Sequence, residues 1–265
     1  MADTQRTPPD ASRFGRDNIL VWQVALVAGL LAVWEIAGRV TGGDQVSSPS
    51  RIIDKIAIWL GGELYPHLLT TLGELACGMA IGSSLGILAG LVLGRMPIVS
   101  LILRPIIVGL YSVPLVTLAP LFIMFFGLGL MPKIVLVSIV TFFLLFFNTF
   151  TGAQQVDEDY LRTLDLMGAT KFEQFHKVIA PATAVWIAGG IKIALPYALV
   201  ATITGELLAT RAGLGFLISR AAERFDMTSL YAVLLILMAL GLLLSEAALR
   251  LEQHFLRWRK TAEER

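Results

Sequence analysis

Residues 134–156 read IVLVSIVTFFLLFFNTFTGAQQV, a run of 23 residues without a charged side chain. A helix that crosses the roughly 30 Å hydrocarbon core of a bilayer needs about 20 predominantly apolar residues. Further uncharged stretches lie at 19–34, 75–94, 105–132, 227–245 and 178–205, the last interrupted only by Lys192. The sequence therefore predicts an all-α membrane protein with six transmembrane helices.

The composition supports this prediction. Of the 265 residues, 56% are hydrophobic and only 15% are charged, and the mean hydropathy is +0.74. Soluble domains carry about 25% charged residues. The low charge content excludes a disordered chain. The single cysteine, Cys77, excludes a scaffold held by disulfides. The net charge of +1 excludes a basic protein that binds nucleic acid.

The predicted transmembrane helices cover 19–38, 68–94, 101–126, 134–152, 183–206 and 229–249. The uncharged run 105–132 contains four prolines, so we expect the third helix to be kinked or to lie partly at a surface. Polar tails flank the helices at 1–18 and 251–265. No small-residue cleavage site follows the first apolar segment, so we expect this helix to be retained.

The connection 39–66 is predicted to carry a short amphipathic helix. Ile52, Ile53, Ile56 and Trp59 recur there at helical spacing. Such a helix braces the second transmembrane helix or lies among the lipid headgroups. Residues 67–250 then form the core of the protein.

The distribution of Lys and Arg predicts the orientation in the membrane. The two tails and the connections 95–104 and 153–180 carry 13 of these residues, whereas the other connections carry seven. Cytoplasmic segments keep the larger number. Both termini and the connection 153–180 are therefore predicted to be cytoplasmic, and 39–66 to be outside.

The connection 153–180 is predicted to form two short helices. Gly168 ends or bends the first of them. Thr170 and Glu173 have the spacing of a capping box, which predicts a second helix that stops before Pro181.

One face of this second helix, over 170–180, is apolar. Phe172, Phe175 and Ile179 share the face, while Lys171, Gln174 and Lys177 lie toward the other side. The residues alone leave two interpretations open. The apolar face packs against the protein's own helix ends, or it docks into a groove on another subunit.

The same connection resembles the cytoplasmic "EAA" loop in permease subunits of bacterial type I ABC importers. The resemblance is carried by Leu166-Met167-Gly168-Ala169-Thr170, Phe172 and Val178-Ile179-Ala180-Pro181, where Gly168 and Pro181 match the family pattern. The family's glutamate falls on Arg162, although Asp165 lies nearby on the same short helix.

The resemblance extends over about residues 66–250 and points to the taurine, aliphatic sulfonate and nitrate branch of these permeases. Its supporting strings include Phe125-Phe126-Gly127-Leu128-Gly129, Gly190-Ile191-Lys192-Ile193-Ala194-Leu195 and Gly205-Glu206-Leu207-Leu208-Ala209.

The resemblance implies the type I ABC importer permease fold, with a coupling helix between the fourth and fifth transmembrane helices. It implies a site in the bacterial inner membrane, a second permease subunit forming a homodimer, two cytoplasmic ATPases and a periplasmic binding protein. The chain holds no phosphate-loop motif, so ATP is expected to be bound by the partner ATPases, and no cofactor or enzymatic activity is expected of this chain. The residues implied in coupling to the ATPase are Asp165, Gly168, Ala169, Thr170, Phe172, Phe175 and Pro181.

Glycines recur every fourth residue in the second transmembrane helix, at Gly78, Gly82, Gly86, Gly90 and Gly94. They form a stripe along one side of the helix, and such a stripe lets two helix backbones approach closely in lipid. The contact is expected within one subunit, with an interface between two subunits as the alternative.

Polar residues in the fifth transmembrane helix are candidates for the translocation pathway or its gate. They are Lys192, Thr202, Thr204 and Glu206. Lys192 either attracts an anionic solute or is a packed cation paired with an acid. Glu206 is the candidate for an outer gate or a contact with the binding protein. Glu35, Glu74 and Glu246 are interpreted as anchors at helix ends, and the histidines show no metal-ligand spacing.

The sequence thus predicts the permease of an ATP-driven importer for a small anion, such as a sulfonate, taurine or nitrate. Two alternatives stay open. One is the same role with a non-anionic cargo such as a pyrimidine-like compound. The other is a secondary transporter driven by an ion gradient, although no half-to-half repeat typical of that class is visible.

Overall fold

The computed structural model describes residues 16–42, 46–209 and 211–255, and in these ranges it contains helices but no strand. The helices are α1 (Arg16–Val40), α2 (Pro49–Leu60), α3 (Leu64–Gly94), α4 (Pro97–Tyr111), α5 (Ala119–Phe126), α6 (Leu130–Gln154), α7 (Glu158–Leu166), α8 (Lys171–Gln174), α9 (Ala180–Ala209), α10 (Leu214–Glu223) and α11 (Met227–Phe255).

Five helical segments in the described ranges are long and apolar enough to cross a membrane. They are Val21–Val40, Leu64–Gly94, Leu130–Gln154, Lys171–Leu208 and Met227–His254. The all-α membrane fold predicted from the uncharged runs is confirmed.

The third predicted transmembrane helix, over 101–126, is not a single helix, and the kink expected from its prolines is a complete break. The chain forms α4, leaves the helical path at Ser112–Pro114, makes a 3₁₀ turn over Leu115–Leu118 and resumes as α5. Pro114 has no N–H to donate, and its ring disfavours a helical conformation at the preceding residue. The Thr117 N–H and hydroxyl both donate to the Pro114 carbonyl, at 2.9 and 2.6 Å, and this fixes the turn.

The core of the membrane region is the packing of α3, α6 and α9. The five glycines of the stripe are all buried in α3 and face α6. A Cβ atom at Gly86 would lie 2.6 Å from the Phe142 carbonyl oxygen, so any larger residue would push the two helices apart. The glycine stripe therefore forms an internal contact of one subunit.

One face of the amphipathic helix α2 is covered by the protein, whereas Ile53 and Ile58 on the other side are exposed. Ile52 and Trp59 are buried in a cluster with Leu214, Leu217 and Val233 of the last two helices. Glu35 of α1 accepts hydrogen bonds from the Ser50 N–H and hydroxyl, at 3.0 and 2.7 Å. The helix thus connects α1 to α10 and α11, with Leu64 at the start of α3 in the same cluster.

The helix predicted over 170–180 does not stop before Pro181, so this prediction is wrong. α8 continues through a π-helical segment, Phe175–Ile179, directly into α9. The Ala180 N–H bonds to the Phe175 carbonyl, five residues earlier, which is the wider π spacing. A proline in a regular helix clashes with the carbonyl four residues before it, and the wider turn gives Pro181 the room that it needs.

Candidate functional site

The connection between α6 and α9 is built from local hydrogen bonds. Gly168 has φ of +77°, a conformation that glycine adopts without strain, and it ends α7. The Ala169 N–H donates to the Leu164 carbonyl at 2.9 Å and the Gly168 N–H to the Asp165 carbonyl at 3.0 Å. This pair of bonds is the Schellman motif, which turns the chain sharply at Gly168.

The capping box predicted at Thr170 is present. The Glu173 N–H donates to the Thr170 hydroxyl oxygen at 3.3 Å, and the Thr170 N–H donates to the Glu173 carboxylate at 2.9 Å. Two backbone donors at the start of α8 are therefore satisfied by side chains of the same turn.

Asp165 connects the two short helices. Its carboxylate accepts hydrogen bonds from the Lys171 ammonium, at 3.1 Å, and from the Gln174 amide. These two bonds hold the pKa of Asp165 below its ordinary value, so the carboxylate stays charged at neutral pH. Asp165 was predicted as the acidic contact with a partner, and the structure places it in a bond network within the chain that also buries Gln174.

The apolar face of the helix predicted over 170–180 is partly packed and partly exposed. Ile179 is buried with Val156 and Leu161, whereas Phe172 is 75% exposed and its ring stacks only on His176, with centroids 6.1 Å apart. Phe175 is 40% exposed. Ile179 thus fixes the helix to the protein, and Phe172 projects from it together with Leu166 and Met167 at the preceding turn.

A cavity of about 320 Å³ opens between the break after α4, α6 and α9. Its lining includes Tyr111, Ser112, Pro114, Tyr197 and Val200. None of the lining residues, all within the described part of the chain, carries a fixed charge. The proline break in the predicted third helix is therefore one wall of the cavity.

The four predicted pathway residues in α9 bond to groups within the protein, and none of the four lines this cavity. Lys192 pairs with Glu252 of α11 at 3.5 Å. The Thr202 and Thr204 hydroxyls donate to carbonyls of their own helix, at Ala198 and Val200. The pairing of Lys192 with an acid fits this contact, but the side chain is not packed, because it is 47% exposed.

Glu206 lies inside the protein and not at an outer surface, because its side chain has no exposed area. Its carboxyl group is 2.7 Å from the Thr71 hydroxyl and accepts a hydrogen bond from the Gly215 N–H at 2.6 Å. Direct contact with a binding protein, which the sequence suggested, does not fit this position.

A buried ion pair between Glu74 and Lys133 escaped the sequence analysis. Each side chain is only 2% exposed. Glu74 was taken for an interfacial anchor and Lys133 for a charge in an outer connection, because both lie near the ends of apolar runs. Lys133 is instead the fourth residue of α6, within its first turn, and its side chain is buried in the protein.

No group of three potential ligands that would hold a metal ion occurs in the residues that the structure describes.

The comparisons with known proteins agree with this architecture. Residues 82–257 match the family model of the binding-protein-dependent transport system inner membrane component. The formylaminopyrimidine transport permease protein ThiX of Halalkalibacterium halodurans is 32% identical, over 87% of this chain and 93% of the relative. The putative aliphatic sulfonates transport permease protein SsuC of Bacillus subtilis is 29% identical, over 99% of this chain and 95% of the relative.

A solved chain of the MetNI methionine ABC transporter, in an inward-facing conformation, has the same fold. Its TM-score is 0.65 at 19% identity, over 75% of this chain and 97% of that chain. The resemblance to ABC importer permeases that the connection 153–180 carries is confirmed. The chain belongs to the family of binding-protein-dependent transport system inner membrane components.

Proposed function

We propose that this chain is the permease of an ATP-driven importer in the bacterial inner membrane, and that it works as a pair of identical subunits. Two cytoplasmic ATPases power it, and a periplasmic binding protein delivers the solute. The observation that carries this proposal is the exposed Phe172 on a capped helix, at the very start of the long helical segment Lys171–Leu208. Apolar side chains on a rigid helix are suited to a groove on a partner protein.

The connection from this helix to the pathway is a single continuous helical segment. α8, the π turn and α9 follow one another without a break, so a displacement of Phe172 moves the whole of α9. α9 carries Tyr197 and Val200, which line the cavity. Closure of the ATPases would thus reach the cavity as a rigid-body movement of one helix.

The test is co-purification of the ATPase from native membranes, followed by an assay of ATP hydrolysis. We expect Phe172→Asp with Phe175→Asp to reduce the recovered ATPase at least about tenfold, because two apolar contacts of a docking helix are replaced by charges. Phe225→Asp is the matched control, since Phe225 is 80% exposed on the opposite side of the protein. Undiminished recovery with the double variant, or solute uptake by the chain alone in an ion gradient, would overturn the proposal.

The uncharged cavity supports a pyrimidine-like cargo over a small anion. Tyr111 and Tyr197 offer ring faces for stacking and hydroxyls for hydrogen bonds, while the ammonium of Lys192 is paired with Glu252. ThiX, a formylaminopyrimidine permease by name, is among the relatives. A sulfonate-like anion is the second candidate because SsuC is also a relative. The first candidate is supported if the complex takes up a labelled aminopyrimidine in an ATP-dependent manner and Tyr197→Ala abolishes this uptake. The second candidate is supported if the complex takes up an alkanesulfonate and Lys192→Gln reduces this uptake.

A further inference from the structure

Three ionisable side chains meet in the interior of the membrane region, and their charges do not balance. Glu74 of α3, Lys133 of α6 and Glu206 of α9 are each at most 2% exposed. Glu74 and Lys133 form an ion pair, and the stem of Lys133 packs against Gly205, the residue next to Glu206. Two carboxylates beside one ammonium would leave a net negative charge where neither water nor lipid headgroups can stabilise it.

The hydrogen bonds around Thr71 also indicate that one carboxyl group of the cluster is protonated. The Leu214 N–H donates to the Thr71 hydroxyl oxygen at 2.9 Å, and the hydroxyl lies 3.1 Å from the His67 carbonyl and 2.7 Å from Oε1 of Glu206. A hydroxyl has one hydrogen to donate. The His67 carbonyl can only accept, so all three contacts are satisfied together when Glu206 supplies the hydrogen of its own contact.

The second oxygen of Glu206 fits this assignment. Oε2 accepts a hydrogen bond from the Gly215 N–H, as the carbonyl oxygen of a neutral carboxylic acid does. Oε1 is then the hydroxyl oxygen and donates to Thr71. The ammonium of Lys133 bonds to Glu74, and this contact favours the ionised form of Glu74.

Four other charged or titratable groups on the neighbouring elements are engaged with different partners, and Arg211, between Glu206 and Gly213, is exposed. The Nδ1 atom of His67 accepts a hydrogen bond from the Gly213 N–H at 3.0 Å. An imidazole nitrogen that accepts carries no proton, so this imidazole is neutral. Further out, Arg220 of α10 pairs with Glu63 at 3.2 Å, Asp226 accepts hydrogen bonds from Ser229, and the Lys55 ammonium lies over the Trp59 ring. None of these contacts supplies the cluster with a second cation.

We propose that the cluster of Glu74, Lys133 and Glu206 is a proton-binding site, with one proton on Oε1 of Glu206 that makes the cluster electrically neutral. This proton fixes the connection between α9 and α10, since Glu206 bonds to Gly215 and Thr71 bonds to Leu214. Its loss would place two like charges together in the interior and weaken the contact with Thr71.

Infrared spectroscopy of the full chain in lipid nanodiscs tests whether the proton is present. We expect a carbonyl stretch of a protonated carboxylic acid at neutral pH, where exposed carboxylates are ionised. The band should shift in heavy water, disappear as the pH rises, and be missing in Glu206→Gln. Glu246→Gln, which changes an exposed glutamate paired with Arg250, should retain the band. Absence of the band from the unmodified chain at neutral pH would overturn the proposal.

Thermal unfolding tests which of the two carboxyls carries the proton. Glutamine is neutral, and its amide can donate to Thr71 while its oxygen accepts from Gly215, so Glu206→Gln should melt within about 2 °C of the unmodified chain. Glu74→Gln removes the ionised partner of a buried lysine and should melt about 10 °C lower. The reverse order would place the proton on Glu74 and contradict the assignment to Glu206.

Discussion

Two residues, Gly168 and Thr170, set the direction in which Phe172 points. Gly168 turns the chain in a conformation that an L side chain rarely adopts, with φ of +77°. Thr170 then starts the next helix by accepting the Glu173 N–H. Because α8 is a single turn before the π segment, it has few helical bonds of its own and depends on this cap.

We predict that the start of α8 is destabilised when the Thr170 cap is removed. Thr170→Ala should destabilise the start of the helix by about 1 kcal/mol, since a backbone donor at the first turn loses its partner. We expect faster amide hydrogen exchange over residues 171–179 and weaker binding of the ATPase. Thr163→Ala is the control, because the Thr163 hydroxyl bonds only to a carbonyl of its own helix. Equal exchange rates in the two variants would show that the cap does not hold the helix.

Among the elements, α3 and α6 make the tightest contact, and glycine is the reason. At Gly78, Gly86 and Gly90, an added Cβ would lie within 3 Å of an atom of α6. In lipid no hydrophobic effect drives two helices together, so close backbone packing supplies the attraction. Four-residue spacing keeps the stripe on one side over the whole length of α3.

The chain offers a matched pair of glycines to test this packing. Gly86→Leu should lower the free energy of unfolding by about 3 kcal/mol or more, because the new side chain meets backbone atoms of α6. Gly73→Leu should change it little, since nothing lies within 4 Å of that position on the same helix. Thermal unfolding in detergent measures both. A similar loss in the two variants would mean that helix propensity, not packing, explains the glycines.

The sequence predicts well those features that depend on residues close together in the chain. The glycine stripe and the capping box each depend on spacings of three or four residues, and both are present in the structure. The partners Glu74 and Lys133 are 59 residues apart, so no local pattern connects them, and each resembles an ordinary anchor at a helix end.

The effects of the prolines on the helices were predicted only in part. A break within 101–126 was expected from the four prolines in 105–132, yet its place at Ser112–Pro114 depends on the tertiary structure. Pro181 was expected to end a helix, because the π turn that accommodates it has no recognised signature in a single sequence.

At the scale of the whole molecule, the two ends of the membrane region differ in construction. One end holds the exposed Phe172 and the charged connection between α6 and α9. The other end is closed by α2 and α10, which pack on α11 through Ile52, Trp59 and Leu217. This asymmetry fits a protein that receives a solute at one face and an energy-coupling partner at the other.

The orientation predicted from Lys and Arg places Asp54 of α2 outside and Thr163 of α7 in the cytoplasm. Both side chains are exposed, so each accepts a cysteine without loss of packing. In a chain whose single cysteine is removed by Cys77→Ser, we expect a membrane-impermeant maleimide to label Asp54→Cys in intact cells and Thr163→Cys only in inside-out vesicles. Denatured samples of both variants serve as controls for full reactivity. Labelling of Thr163→Cys in intact cells would show that the topology is the reverse of the predicted one. The exposed Phe172 would then lie on the side of the membrane opposite to any cytoplasmic ATPase.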